Sequence, residues 1–402
     1  MSLRSALALA LSLVALPCSA APLHLTHPLV EGLGSTAVDK LMMEFRDQER
    51  VAVRVEVAGP NQYLNLPPGV DAAAMPDAAL LYAEAVAQLA EAGLIVPLDD
   101  LLDAPTRADF VDGVLDTTTY KGRLWAIPVQ ANPYGLFCNM ALFRAAGVAP
   151  PRTWDETLAA ARKLTGDTDG DGRIDTWGYT QCVFQYPLIM WQYGGSFLNA
   201  EGTGVGFDSR QEMIEALRLY VELRRCSPPH VDFERGDVAM KVSVVRNIPR
   251  YAHLDFRVLP IPSRNGRRIN AFGESAGPLC LVVFKHGEER EAAARRLVSY
   301  WLRPRVALWY ATWTGSVPLR KSVLADPAYR RYLDRHPHQR AFAGELPYAR
   351  ARPCLPQYPD MKVYLSHASN GARDQNTTDR LRLGVLLRVA ARDSNAQFGQ
   401  AP

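Results

Sequence analysis

The chain has 402 residues, 48% hydrophobic and 22% charged, with a formal net charge of +3. That is an ordinary soluble mixture, long enough that two lobes rather than one core are expected. The charge is too small for a nucleic-acid partner or a polybasic membrane protein.

The first segment reads as a secretory signal. Arg4 precedes an apolar run of 11 residues (6–16), followed by Pro17-Cys18-Ser19-Ala20. A run this short does not span a bilayer. Cleavage after Ala20 keeps small side chains at the positions read for cutting and avoids leaving Pro22 directly after the cut. A lipoprotein acylated at Cys18 is the alternative, and Pro17 and Ala15 argue against it. The chain is therefore expected to be exported to the periplasm. Five cysteines then remain: Cys138, Cys182, Cys226, Cys280 and Cys354. No CxxC spacing exists, so mostly buried free thiols are expected. Whether Cys182 and Cys226 are bridged is left open.

Strand-like and helix-like segments then alternate. Residues 22–30 and 51–59 are β-branched apolar runs flanking a helical pattern over 35–48. In that pattern Val38, Leu41, Met42 and Phe45 share one face, with Ser35 as its expected N-cap. Residues 77–100 read as strand, helix with Gly93 as its stop, and short strand. Such alternation predicts an α/β fold. In 152–166, Thr153 and Glu156 have the spacing of a capping box, and Gly166 is expected to end the helix. Further helices are predicted over 212–225 and 288–311, the second broken near Pro304. Strands are predicted at 257–263 and 277–284. After about residue 370 one short helix and a polar, mobile end are expected.

Two motifs suggest chemistry. "GDTDGDGRIDTWGY" (166–179) places Asp167, Asp169, Asp171 and Asp175 at the ligand spacing of a calcium loop, with Gly172 at its turn. Position 12 of that loop, where a bidentate glutamate belongs, is Gly178, and a strand-like segment rather than a helix follows. "GESAG" (273–277) has the letters of a serine nucleophile elbow, but a polar loop precedes it and a strand follows, the reverse of the required order. These leave a calcium-dependent extracellular module and a secreted serine esterase as alternatives. His336 and His338 read as surface residues. No HExxH, P-loop or GxGxxG is present, so no metal, cofactor or catalytic residue is assigned. Trp125, Trp191 and Trp313 lie near glycine or polar residues, where an aromatic face can pack on a sugar ring.

Several segments together resemble the extracellular solute-binding proteins of family 1, which serve ABC importers for sugars and polyols. They are "WAIPVQANPYGLFCNMALFRAAGVAPPRTWDETLAAARKLT" (125–165), the aspartate loop, "WQYGGSFL" (191–198), "FERGDVAM" (233–240), "AFGESAGPLCLVVF" (271–284), "WTGSVPLRKSVLADPAY" (313–329) and "ARPCLPQYPDM" (351–361). The resemblance implies a two-lobed periplasmic binding protein fold of type II. One lobe would take 22–129 plus 270–325, the other 130–269 plus 326–402, with a ligand cleft between them. It also implies a monomer, a small sugar or polyol ligand, and ABC importer membrane subunits as partners, without catalysis. The start, "HPLVEGLGSTAVDKLMMEF", is similar to the branch of glycerol-3-phosphate binders. By matched segment that branch implies ligand contacts at Glu31, Tyr63, Tyr82, Asn132, Trp191, Tyr193, Ser275, Trp313 and Arg352. The sequence departs from the family pattern at Phe137-Cys138-Asn139, at Gly315-Ser316-Val317-Pro318, and at Ala83, where an acid is usual and Glu84 is adjacent.

Overall fold

The structure, a computed structural model, describes residues 21–29, 33–181, 185–208, 210–228, 233–273 and 277–398. Its first sheet takes β1 (Leu23–His27), β2 (Val53–Val57), β3 (Ala78–Tyr82), β4 (Ile127–Gln130) and a strand from far along the chain. A second sheet takes β5 (Tyr134–Asn139), β6 (Met240–Val244) and β7 (Phe256–Leu259). After the two-residue β8 (Asn270–Ala271), β9 (Leu279–Val283) returns to the first sheet, and β10 (Ala349–Arg350) pairs with β8.

The order of the first sheet is β2-β1-β3-β9-β4, and of the second β6-β5-β7. β1 runs parallel to β2 and β3, whereas β9 is antiparallel to both its neighbours. Burial explains the composition: β5 and β9 are buried at every position, and β3 at all but Tyr82. Strands covered on both faces read as continuous apolar runs rather than alternating ones. The predicted strands at 22–30, 51–59 and 277–284 correspond to β1, β2 and β9. Residues 257–263 are strand only as far as Leu259, since Pro260 and Pro262 cannot donate to a ladder.

Helix α1 (Leu33–Glu49) buries Ala37, Val38, Leu41, Met42 and Phe45 against the first sheet's core, the predicted face. It begins two residues before Ser35, so Ser35 lies inside the helix rather than capping it. α2 (Val86–Glu91) stops before Gly93, whose φ of +68° is the left-handed turn that glycine adopts readily. α3 (Trp154–Lys163) starts with the predicted capping box: the Glu156 N–H donates to Thr153 Oγ1 (3.2 Å), and the Thr153 N–H donates to Glu156 Oε2 (3.2 Å). Gly166 does not end it. Leu164 is its C-cap, and Gly166 pairs with Thr176 across the aspartate loop instead. Residues 176–184 form no continuous strand among those described; Trp177 and Thr180 make single bridges to Val238 and Lys241.

α4 (Tyr186–Gln192) and α5 (Gln211–Arg225) pack over the second sheet. The predicted break near Pro304 separates α6 (Glu288–Trp301) from α7 (Pro304–Thr314). Beyond α8 (Tyr358–Asp374), the one short helix expected after about residue 370 is instead the 19-residue α9 (Arg380–Phe398), packed on α8; residues 399–402 lie outside the described residues. Among the described residues no helix is long and apolar enough to cross a membrane. Cys138, Cys226, Cys280 and Cys354 are free thiols, and burial pushes each above its ordinary range. Cys182 lies outside the described residues.

Candidate ligand cleft

The chain crosses between the sheets more than once, and one buried amide ties two of the crossings, at Tyr134 and Ala271, to Glu345. Asn270 Oδ1 accepts from the N–H groups of Tyr134 (3.0 Å) and Ala271 (2.8 Å). Its Nδ2 donates to the Tyr134 carbonyl and to Glu345 Oε2, each at 2.8 Å. All four hydrogen-bonding valences of this side chain are thus used. The first crossing is held further by the Asn132 N–H, which donates to the Phe272 carbonyl at 2.9 Å, and by the pairing of Ala131 with Val317. Glu345 is buried, and that burial pushes its carboxyl above the ordinary glutamate range, against the Asn270 hydrogen bond and Arg268.

Beside these crossings the two walls meet. One wall begins where β3 ends, at Ala83 and Glu84; the other carries Arg352, Tyr358 and Lys362. Glu84 and Lys362, 278 residues apart in sequence, form an ion pair at 2.5 Å with side chains only 3% and 17% exposed. Arg352 is buried. Its Nη1 donates to the Tyr358 hydroxyl (3.0 Å) and its Nη2 to the Gly273 carbonyl (3.5 Å), while Nε has no protein partner among the described residues. The guanidinium lies 5.7 Å from the centre of the Trp191 ring. Trp191 meets Phe197 edge-on at 5.5 Å, and Phe197 meets Tyr358 likewise at 5.3 Å.

A hollow of about 290 Å³ opens here, lined by Asp116 from the first wall and by Trp191, Phe197 and Arg352 from the second. An adjoining space of about 10 Å³ behind Arg352 and Glu84 is no larger than a water site. A larger hollow, about 1070 Å³, lies elsewhere. It is a trough between α3 and the end of β7, rimmed by Arg152, Lys163 and Arg268. All its walls belong to the layer around the second sheet, so it cannot respond directly to closure of one lobe on the other. The smaller hollow can, because both walls contribute to it.

Of the residues expected at the ligand, the structure brings Trp191 and Arg352 together in this hollow. Tyr82 stands at the end of β3, one residue before Ala83. Asn132 is half-buried in the first crossing. Tyr63 is buried, its hydroxyl 2.6 Å from Thr26 Oγ1 and its ring against Phe284. Tyr193 is half-buried beneath the Arg264 guanidinium, 4.7 Å from its ring centre. Trp313 stacks on Trp309 at 5.3 Å, with Lys40 Nζ 3.8 Å from its ring centre, which leaves little free aromatic face. Glu31 and Ser275 lie outside the described residues. Sequence reasoning noted Glu84 beside the position where an acid is usual, but missed its partner Lys362, and missed Asp116, Phe197 and Tyr358. Phe197 and Tyr358 fall within segments that carried the resemblance, but no spacing announces an ion pair formed across the whole chain.

The two motif alternatives gain no support from their settings. After Gly277 comes β9, not the helix that a nucleophile elbow needs. In the aspartate loop, carboxylate oxygens of Asp167, Asp169 and Asp175 lie within 4.8 Å of one another. They serve the loop's own backbone: Asp167 accepts from the N–H groups of Asp169, Gly170 and Gly172, and Asp175 from Thr168. The N–H groups of Gly170 and Gly172 hold the Asp167 carboxyl below its ordinary range. Gly178 explains the missing glutamate. A Cβ there would sit 1.9 Å from the Ala161 carbonyl oxygen, so close packing on α3 requires glycine.

The model of the bacterial extracellular solute-binding protein family matches residues 40–336. A protein of Brucella abortus named as a binding protein is 25% identical over 299 residues, 69% of either chain. The crystal structure of the cyclic alpha-maltosyl-1,6-maltose binding protein from Arthrobacter globiformis superposes with a TM-score of 0.79 at 23% identity, over 94% of this chain and 99% of that one. UgpB from Mycobacterium tuberculosis, in complex with glycerophosphocholine, gives 0.75 at 20% identity over 94% and 99%. At such identities the structural likeness establishes the two-lobed fold, as the two sheets and their crossings do independently. With nearly three quarters of its length matched by the family model, the chain belongs to the bacterial extracellular solute-binding proteins.

Proposed function

We propose that this solute-binding protein captures a sugar, polyol or polyol phosphate in the hollow beside Arg352 and Trp191 and presents it to the membrane subunits of an ABC importer. In this reading residues 22–129 plus 270–325 form one lobe and 130–269 plus 326–402 the other. The chain is cleaved after Ala20, works in the periplasm as a monomer, and breaks no bond in its ligand. Relatives and fold neighbours named for oligosaccharides and for glycerophosphocholine agree with this ligand class.

The observation that carries the reading is the pairing of an aromatic wall with a buried cation. Trp191, backed by the buried Phe197, lines the hollow as an apolar wall for the C–H side of a ring or polyol chain. Arg352, with Nε unpartnered and no carboxylate hydrogen-bonded to it among the described residues, can donate to hydroxyl, phosphate or carboxylate oxygens. Ligand contacts made from both walls stabilise the closed arrangement, and the closed arrangement is what the importer recognises.

A thermal-shift screen against sugars, polyols and their phosphates tests it. A ligand bound only by the folded state stabilises it by about 2.7 kcal/mol at a concentration about 100-fold above Kd. At least one member of the panel should raise the Tm in a concentration-dependent way. A panel without any such member would defeat the proposed ligand class.

A further inference from the structure

The last helix, α9, buries Leu383, Gly384, Leu387, Ala390 and Ser394 and turns the opposite face to solvent. That face carries aliphatic side chains where a solvated helix ordinarily carries polar ones. Leu381 is 80% exposed, Val385 50% and Val389 41%, at i, i+4 and i+8. Arg382, Arg388 and Arg392 are exposed beside them. At 100° per residue these six side chains occupy one sector of about 120°, running about 16 Å along the helix. The acid at the edge of the sector is Asp393, which pairs with Arg392. Asp379 precedes the helix, and its carboxylate accepts from the Arg382 N–H as a cap. Among the described residues no carboxylate pairs with the guanidinium of Arg382 or Arg388. A net charge of only +3 conceals this, because the three arginines are concentrated on one surface.

An aliphatic stripe flanked by arginines, of which Arg382 and Arg388 have no carboxylate partner among the described residues, is complementary to a surface both anionic and apolar beneath. The headgroup layer of a membrane containing anionic phospholipid has that composition, with acyl chains a few ångströms below the charge. An acidic protein surface would match the arginines but offers no general reason for Leu381 to stand 80% exposed between them. We propose that the outer face of α9 is a weak docking surface for anionic phospholipid. Three arginines and three partly inserted aliphatic groups make this contact reversible, since stable anchoring needs more. Its consequence is a raised local concentration of the binding protein in the plane where an importer sits.

The test is co-sedimentation of the exported chain, purified from culture, with vesicles of phosphatidylglycerol and phosphatidylcholine or of phosphatidylcholine alone. At low salt the protein should pellet with the anionic vesicles and not with the neutral ones. Binding should disappear in about 1 M salt, where the Debye length is about 3 Å. R382E/R388E and L381S/V385S should each weaken it at least about thirtyfold. All these substitutions are solvent-exposed and remote from the hollow, so far-UV circular dichroism and Tm should stay unchanged and report intact folding. Absence of wild-type binding, or equal binding by either folded double variant, would overturn the proposal. So would concentration-dependent dimerisation in sedimentation velocity that L381S/V385S abolishes, since the occupant would then be a second copy of the chain.

Discussion

Arg352 and Trp191 were legible in the sequence only through the segments around them, whereas the residues that complete their surroundings were not. Glu84 and Lys362 show why. Each is an unremarkable charged residue in its own neighbourhood, and only the fold brings them to 2.5 Å in a nearly dry setting. Removing one partner strands the other, which costs more than removing both. Glu84→Gln and Lys362→Met should each lower unfolding stability, and the double variant should recover part of the loss. A double-mutant cycle in denaturant should read a coupling of about 0.5–3 kcal/mol. Additive effects would mean that the pair does not join the two walls in solution. Glu345 makes a prediction about pH. Its folded-state pKa is raised by burial, so the native state holds a proton that the unfolded chain releases near the ordinary glutamate value of about 4.3. Its contribution is therefore fully present below that value and is lost as pH rises through the higher folded value. Glu345→Gln should flatten this part of the stability–pH curve while keeping the hydrogen bond to Asn270. An unchanged curve would show that Glu345 is ionised at no cost.

At the scale of elements, signals that depend on local chemistry were readable. The capping box of α3, the apolar face of α1, the glycine stop after α2 and the proline break between α6 and α7 all rest on residues close together in sequence. The boundaries went astray where tertiary contacts decide, as with Gly166, which closes the aspartate loop instead of its helix. The C-terminal region was misread for a different reason. α9 packs through Gly384, Ala390 and Ser394 as well as Leu383 and Leu387, and small residues dilute a buried stripe until it resembles a polar tail. The aspartate loop looked like an ion site because Asp and Gly also build tight turns. Since its carboxylates are satisfied by their own backbone, a chelator should leave the Tm within about one degree, the scale of a surface change of a few tenths of a kcal/mol. A fall of many degrees would mean that calcium holds the loop. Gly178→Ala, in contrast, should cost at least about 1–3 kcal/mol by overpacking against Ala161.

For the whole molecule, the alternation of strands and helices pointed to an α/β class, and the ordered set of family segments pointed to two lobes. The position of the ligand hollow could not be read in the same way, because it is a product of how three crossings set one sheet against the other. Asn270 joins the first two of those crossings, and the walls they position leave a hollow of about 290 Å³, suited to a small polar ligand rather than to a macromolecule. The central claim is that ligand is held there, by Arg352 and Trp191. Calorimetric titration of the ligand identified by thermal shift into wild type, Arg352→Ala and Trp191→Ala tests it most directly. The account predicts that each variant, still folded, binds about 100-fold or more weakly, as expected for a central arginine or aromatic anchor. Wild-type affinity retained by a folded Arg352→Ala protein would contradict it and move the site elsewhere in the molecule.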